Sequence, residues 1–97
     1  MRKTIDGLTV EWDANKDNIN KRKHKIGFDV AVLVFRDKNR IEFYDAKHSD
    51  IEERYITIGL INDVVTVVYT ERSDALRIIS ARIATKAERK AYYGKDN

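Results

Sequence analysis

The stretch Leu76-Arg77-Ile78-Ile79-Ser80-Ala81-Arg82 decides the fold, because it combines a strand-forming apolar pattern with two arginines. A short basic segment follows it directly and is typical of a C-terminal helix. An arginine loses favourable hydration when it is buried, so a small domain keeps arginines within a strand mainly where an anion meets them. The stretch therefore predicts a sheet strand that presents Arg77 and Arg82 to an anionic partner.

Further strands are predicted upstream of this one. They span residues 41–44, 54–60 and 64–71, and short turns at residues 61–63 and 73–74 join the last three strands of the chain. Connections this short leave no room for crossover helices, so the sheet should be mostly antiparallel. Residues 5–11 contain a Gly7 turn and suit an edge strand or a hairpin. The pattern predicts a twisted antiparallel sheet of four or five strands.

Two helices are predicted before the sheet and one after it, which makes the chain an α+β domain. They span residues 13 to about 25, 30 to about 36, and 85 to about 93, and their cap residues are Asp13, Asp29 and Thr85. The second helix is apolar on all sides and should be buried. On the first helix, four residues at helical spacing should form one polar, basic face: Lys16, Asn20, Lys23 and His24.

Alternation along the strands predicts one aliphatic face and one polar face of the sheet. We expect the aliphatic face, with Ile56, Ile58 and Leu60, to receive the buried helix. The polar face should collect Tyr55, Thr57, Thr66, Ser80 and Arg82. By alternation Arg77 falls on the aliphatic face, and a β-bulge in its strand would place it on the polar face instead.

Size and composition indicate one domain over residues 1–97 with a modest core. The net charge of +3 is unevenly distributed: residues 1–40 carry ten basic and six acidic side chains, residues 41–74 three and eight, and residues 75–97 six and two. Basic ends around an acidic middle fit a nucleic-acid partner, although they also fit a role in solubility alone. The absence of Cys excludes thiol chemistry, and with no long apolar run or signal-peptide pattern we expect a cytoplasmic protein without membrane contact.

The side chains favour acid–base and electrostatic chemistry on a phosphodiester. The two histidines are far apart and no metal-ligand spacing or Gly-rich phosphate loop is present, so neither a metal nor a cofactor is predicted. RNA supplies its own nucleophile, the 2′-hydroxyl, and the protein must move protons and stabilise charge on phosphorus. The chain offers suitable groups for this: Arg54, Arg72, Arg77, Arg82, His24, His48, Glu53 and Tyr92.

Each of these residues also has a purely structural interpretation. His24 could interact with the carbonyls at a helix end, and His48 could be an exposed loop residue. Arg77 and Arg82 could form salt bridges with Glu53, Glu71 or Glu88. Tyr92 could pack the last helix on the sheet. Sequence alone leaves these alternatives open.

The chain resembles the BrnT family of toxins over nearly its whole length. The matching residues include Glu11-Trp12-Asp13, Lys23-His24, His48-Ser49, Glu52-Glu53-Arg54, the stretch 77–82, Glu88-Arg89 and Tyr92. Family members often have glycine after the Lys-His pair, where this chain has Lys25. The resemblance implies a RelE-like fold, metal-independent endoribonuclease activity, and neutralisation by a DNA-binding antitoxin, BrnA, in a hetero-oligomer.

The resulting hypothesis is a ribonuclease toxin with a defined set of site residues. The predicted catalytic residues are Arg82, Arg77, His48, Arg54, His24 and Tyr92, of which Arg82 and Arg77 would bind the scissile phosphate while His48, or less favourably His24, would transfer protons. The predicted RNA-binding residues are Lys16, Lys23, Arg72, Lys86 and Arg89. Two rival functions remain, a non-catalytic nucleic-acid-binding module and a module that uses its basic surface to bind an acidic protein.

Overall fold

Six strands form one mixed sheet within residues 1–94, which the computed structural model describes. They are β1 (Arg2–Ile5), β2 (Leu8–Glu11), β3 (Ile41–Tyr44), β4 (Arg54–Leu60), β5 (Val64–Arg72) and β6 (Ala75–Ile83). Their order across the sheet is β1-β2-β6-β5-β4-β3, and β2 runs parallel to β6 while every other neighbouring pair is antiparallel. The last three residues of the predicted domain, 95–97, lie outside the described residues.

The predicted α+β class is confirmed, but the predicted count of four or five strands is wrong. The difference lies in the N-terminal segment, which forms a complete hairpin of two strands. Asp6 and Gly7 at its turn both have positive φ, 49° and 85°. This Asp-Gly pair is a favoured two-residue hairpin turn, because its twist matches that of the flanking strands.

Helical segments lie before, between and after the strands β3–β6. They are α1 (Ala14–His24), α2 (Phe28–Ala31), a 3₁₀ helix that continues it (Val32–Arg36), a second 3₁₀ helix (Ala46–His48) and α3 (Lys86–Gly94). Two helical regions before the sheet and one after it were predicted, although the second region is only one α-turn followed by 3₁₀ helix. None of the helices in this part of the chain has the length and apolarity needed to cross a membrane.

The helix ends show which capping predictions hold. Asp13 caps α1 as predicted, its side chain accepting a hydrogen bond from the Lys16 amide at 3.3 Å. Asp29 does not cap the second helix: Gly27 is the N-cap, and the Asp17 carboxylate accepts the bond from the Phe28 amide at 2.8 Å. Lys25, where the family that the sequence resembles often has glycine, adopts the left-handed φ of 62° and ends α1 as a glycine would.

Helix α1 lies against the edge of β6 through Asn20. The side-chain amide of Asn20 donates to the Ala81 carbonyl at 2.8 Å and its oxygen accepts from the Ala81 amide at 3.3 Å. Asn20 also donates to the Ile26 carbonyl at 2.9 Å and is buried. Asn20 was predicted on a polar, basic face of this helix, and it is instead buried there because it satisfies strand groups that face away from β5.

One face of the sheet packs on α2 and the adjoining 3₁₀ helix. The buried side chains of this contact are Phe28, Ala31, Val32, Val34, Val65, Val67, Tyr69, Ile78 and Ala81. Gly59 also lies on this face, where a Cβ atom would come within 3.0 Å of the Val34 Cβ. The predicted burial of the apolar second helix is confirmed for Ala31, Val32 and Val34, whereas Val30 at its predicted start is 44% exposed.

We call the opposite side the arginine face, because the strand register places Arg54, Ile56, Ile58, Thr66, Val68, Thr70, Arg77, Ser80 and Arg82 there. Helix α3 packs on one end of it, where Tyr92 contacts the cluster of Ile58, Val64 and Ala84. The predicted side of β4 is wrong: Ile56 and Ile58 share the face of Arg82, whereas Tyr55 and Thr57 face the buried helix. Alternation determines which residues of one strand share a face, but it does not determine the register between two strands, and therefore not which faces of the two strands coincide.

A β-bulge places Arg77 on the arginine face. Tyr69 pairs with Ile78, but Val68 pairs with Ser80, so Ile79 is an extra residue in β6. The additional residue shifts the alternation by one position between Arg77 and Arg82. Both arginines of the stretch 76–82 therefore lie on the same face of the sheet.

Candidate active site

Two arginines flank a threonine in one row across the arginine face. Thr70 on β5 pairs with Arg54 on β4 and with Arg77 on β6. Neighbouring strands are about 5 Å apart, so the Cα atoms of the two arginines are separated by about 10 Å. Arg82 lies farther along the sheet, in the row that contains Ile58 and Thr66.

Within residues 1–94, Arg54 is the arginine of this row that has no anionic partner. Among residues 1–94 its guanidinium makes no hydrogen bond and no ion pair, and its Nε atom is buried. The backbone around it is fixed, because its amide donates to the Ser49 Oγ at 2.9 Å and its carbonyl accepts from the Asp45 amide at 2.8 Å. A positioned guanidinium with free donors is suited to binding phosphate oxygens.

His48 lies beside Arg54 in a shallow cleft. The cleft has a volume of about 300 Å³ and is lined by Lys47, His48, Asp50, Ile51, Glu52 and Arg54. The His48 Nδ1 atom is 3.1 Å from the Asp45 Oδ2, and the His48 side chain is 58% exposed while that of Asp45 is 13% exposed. This contact orients the imidazole, and its Nε2 atom makes no hydrogen bond among residues 1–94, so Nε2 is available to act as a general acid or base.

Ser49 holds this loop together, and neither it nor Asp45 was a candidate in the sequence analysis. The Ser49 hydroxyl donates to the Asp45 carbonyl at 2.6 Å and accepts from the Arg54 amide. The spacing of Asp45 and His48, three residues apart, is a signal that could have indicated the pair. Within the described part of the chain no cluster of three His, Asp or Glu side chains is placed to share a metal ion.

Arg77 is held by a carboxylate at the other side of the row. Its Nη1 atom is 2.8 Å from the Glu11 Oε2, and Arg2 is 3.1 Å from the other Glu11 oxygen. The hydrogen bond from Arg77 is the main cause that lowers the pKa of Glu11. Arg77 is therefore in an ion pair, one of the two alternatives that the sequence left open, although the partner is Glu11 rather than Glu53, Glu71 or Glu88.

Arg82 on β6 donates two hydrogen bonds to the carboxylate of Glu88 on α3. One of the two bonds, from Nη2 to Oε2, is 2.7 Å long. Glu88 also accepts from the Thr66 hydroxyl at 3.0 Å and from the Thr85 amide at 2.8 Å, while Thr85 accepts from the Glu88 amide at 3.1 Å. The last two bonds are a capping box, which fixes the start of α3.

The electrostatics of Glu88 reflect this environment. Burial acts to raise its pKa, but the hydrogen bonds from Arg82, Thr85 and Thr66 outweigh burial and lower the pKa to about 2. The pKa of Arg82 is raised by its hydrogen bonds to Glu88, against the effect of burial. The geometry thus gives Arg82 a part in anchoring α3.

We predict that Glu88→Gln destabilises the fold in a pH-dependent manner. The folded pKa of about 2 lies below the ordinary value of 4.5, so ionised Glu88 contributes stability that is full above about pH 4.5 and is lost as the pH falls toward 2. Because Arg82 is 37% exposed, we expect only about 2 kcal/mol at pH 7. Urea unfolding of both proteins from pH 7 to pH 3 measures this, and a difference that does not shrink with acid would contradict it.

Tyr92 and His24 do not lie with His48 at the cleft. Tyr92 is buried in the contact of α3 with the sheet, and its hydroxyl donates to the Asp37 Oδ2 at 2.5 Å. His24 ends α1, next to Lys25, which borders the surface around Asn62 and Ile83 at the opposite end of the sheet. The structure therefore brings together Arg54 and His48, with Arg77 in the same row, and leaves the other predicted catalytic residues elsewhere.

The predicted RNA-binding residues are spread over the surface. Lys16, Lys23 and Lys86 are exposed on helices α1 and α3. Arg72 is 3.5 Å from Glu52, a residue that lines the cleft, and Arg89 is 3.7 Å from Asp63. Arg72 is thus the member of this group nearest to the cleft.

Comparison with known protein families identifies the family of this chain. Residues 12–88 match the sequence model described as ribonuclease toxin, BrnT, of type II toxin-antitoxin system. That range is more than half of the 97 residues. The chain belongs to the BrnT family. The resemblance stated from the sequence is confirmed, and a BrnT-family toxin has an antitoxin as its partner and RNA as its target.

The fold is also similar to that of a solved BrnT structure. The chain is similar to the 1.1 Å crystal structure of the Brucella abortus ribonuclease toxin, BrnT, with 26% sequence identity and a TM-score of 0.60. The match covers 79% of this chain and 96% of that chain. A search of curated proteins gives no significant match.

Proposed function

We propose that this BrnT-family chain is an endoribonuclease toxin that cleaves RNA without a metal ion, at the cleft formed by Arg54 and His48. The observation that carries the proposal is the Arg54 guanidinium, which has no partner in the described part of the chain, beside an imidazole that Asp45 orients. A free cation that binds the scissile phosphate and a group that transfers protons are the two requirements for attack by a 2′-hydroxyl. In the cell the toxin acts in the cytoplasm and is neutralised by a BrnA-like DNA-binding antitoxin, in a hetero-oligomer.

The division of roles follows the geometry. The RNA 2′-oxygen forms a bond to phosphorus as the bond from phosphorus to the 5′-oxygen breaks, which leaves a 2′,3′-cyclic phosphate. Arg54 stabilises the charge that develops on the non-bridging oxygens. His48, oriented by Asp45, accepts the proton of the 2′-hydroxyl and returns a proton to the 5′-oxygen, which leaves as a hydroxyl group. Arg77, in the same row, binds a neighbouring part of the backbone with the donors that Glu11 does not use.

The positions of the other candidates suggest supporting roles. Arg82 and Tyr92 hold α3 against the sheet, through Glu88 and Asp37. Arg72 contributes positive charge at the border of the cleft, and Lys16, Lys23, Lys86 and Arg89 add to the field that attracts RNA. His24 is too far along the sheet to share one phosphate with His48.

The test is cleavage of a single-stranded RNA oligonucleotide by the purified chain in the presence of EDTA. We expect products that end in 2′,3′-cyclic phosphate, and no cleavage of the same oligonucleotide with 2′-O-methyl groups, since the nucleophile is then blocked. Salt-sensitive binding without any cleavage would instead support the non-catalytic nucleic-acid-binding module. Cleavage that EDTA abolishes would contradict the metal-independent mechanism.

A further inference from the structure

Strand β3 ends with two exposed aromatic residues that point to opposite sides of the sheet. Phe43 is 47% exposed and Tyr44 is 51% exposed. Their partners in β4 are Ile56 and Tyr55, respectively. Phe43 therefore lies on the arginine face and Tyr44 on the face that carries the buried helix.

Tyr44 has aromatic neighbours that account for its position. Its ring packs edge-on against Tyr55 with centroids 5.7 Å apart, and Tyr55 stacks on Tyr69 at 5.6 Å. Phe43 has no ring contact among residues 1–94. An exposed phenyl ring without such a partner leaves apolar surface in water and adds nothing to the aromatic cluster.

Phe43 is adjacent to the unpaired arginine. Phe43 pairs with Ile56, and Arg54 is two residues before Ile56 on the same face. Phe43 and Arg54 are therefore diagonal neighbours, with Cα atoms about 7–8 Å apart. Beyond Ile56 the same row continues with the half-buried Val68. The Phe43 ring therefore lies next to a small apolar patch, formed by Ile56 and Val68, that adjoins Arg54.

We propose that Phe43 is a stacking platform for an RNA base next to the phosphate that Arg54 binds. This inference rests on the function proposed above and adds a base-binding subsite to it. Single-stranded RNA offers unstacked bases, and proteins bind them by aromatic stacking alongside a positively charged backbone groove. An antitoxin side chain could also cover an exposed ring, but the unpaired guanidinium beside Phe43 favours a ligand that carries both a phosphate and a planar apolar group.

Fluorescence of a matched pair of variants tests the subsite. Phe43→Trp and Tyr44→Trp introduce an indole at neighbouring, equally exposed positions on opposite faces, while the native Trp12 is buried in both proteins. Titration with a 2′-O-methyl RNA, which binds without being cleaved, should quench the added emission in Phe43→Trp and leave that of Tyr44→Trp unchanged. Equal behaviour of the two variants would overturn the inference.

Kinetics of Phe43→Ala provide the second measurement. Loss of one stacked base should raise KM about tenfold and change kcat little, because stacking holds the substrate and the reacting atoms are unaffected. Unchanged KM combined with weaker binding of the antitoxin would overturn the inference in favour of a protein partner. Cleavage by the wild-type chain is measured in parallel: if it fails, the proposed function fails, and if it succeeds without any effect at Phe43, only the subsite is wrong.

Discussion

Arg54→Ala is expected to lower the rate of RNA cleavage by about 10²–10³-fold, the cost of removing one preorganised group that stabilises transition-state charge. Arg54 makes no ion pair within the described part of the chain, so its charge is available to the phosphate. Arg54→Lys keeps the charge but loses the two-pronged hydrogen bonding, and should therefore recover only part of the activity. Measured kcat and KM of each variant, with the same RNA oligonucleotide, give the effect.

The matched control is Arg36→Ala. Arg36 is 60% exposed and pairs with Asp6 at 3.3 Å, so this change removes the same side chain from a surface ion pair outside the cleft. Activity should then stay within about threefold of the wild type, since exposed ion pairs contribute little. Equal losses in the Arg36 and Arg54 variants would show that only the net charge matters, and would remove Arg54 from the mechanism. Thermal unfolding should be nearly unchanged in both.

The central strands and the starts of α1 and α3 could be predicted from the sequence because their signals are local. Asp13 immediately precedes α1 and caps it with its own side chain. The apolar side chains of the second helix are removed from water only when they pack against the sheet. The number of strands in the N-terminal segment could not be predicted, because β1 and β2 are only four residues each. Such short segments give too few alternating positions for a reliable pattern.

The arrangement of the site depends on contacts between distant residues and was only partly predictable. Arg54, His48 and Arg77 were all candidates, but their grouping depends on strand register and on the bulge at Ile79. The partner of Arg82 was among the alternatives, and that of Arg77 was not, because Glu11 is 66 residues away in the chain. A carboxylate that reaches an arginine across a parallel strand pair leaves no pattern in the local sequence.

Histidine replacement is the second large effect, and the two histidines of the chain allow a direct comparison. His48→Ala should reduce cleavage by about 10²–10⁴-fold, the usual contribution of general acid–base catalysis, whereas His24→Ala should change it little because His24 ends α1 at the other end of the sheet. Asp45→Asn leaves the loop hydrogen bonds, which use the Asp45 backbone, and removes the charge beside the imidazole. It should cost about 10-fold to 100-fold, and less than loss of the imidazole itself. If His24→Ala is the more damaging change, the cleft at Arg54 is not where RNA is cut.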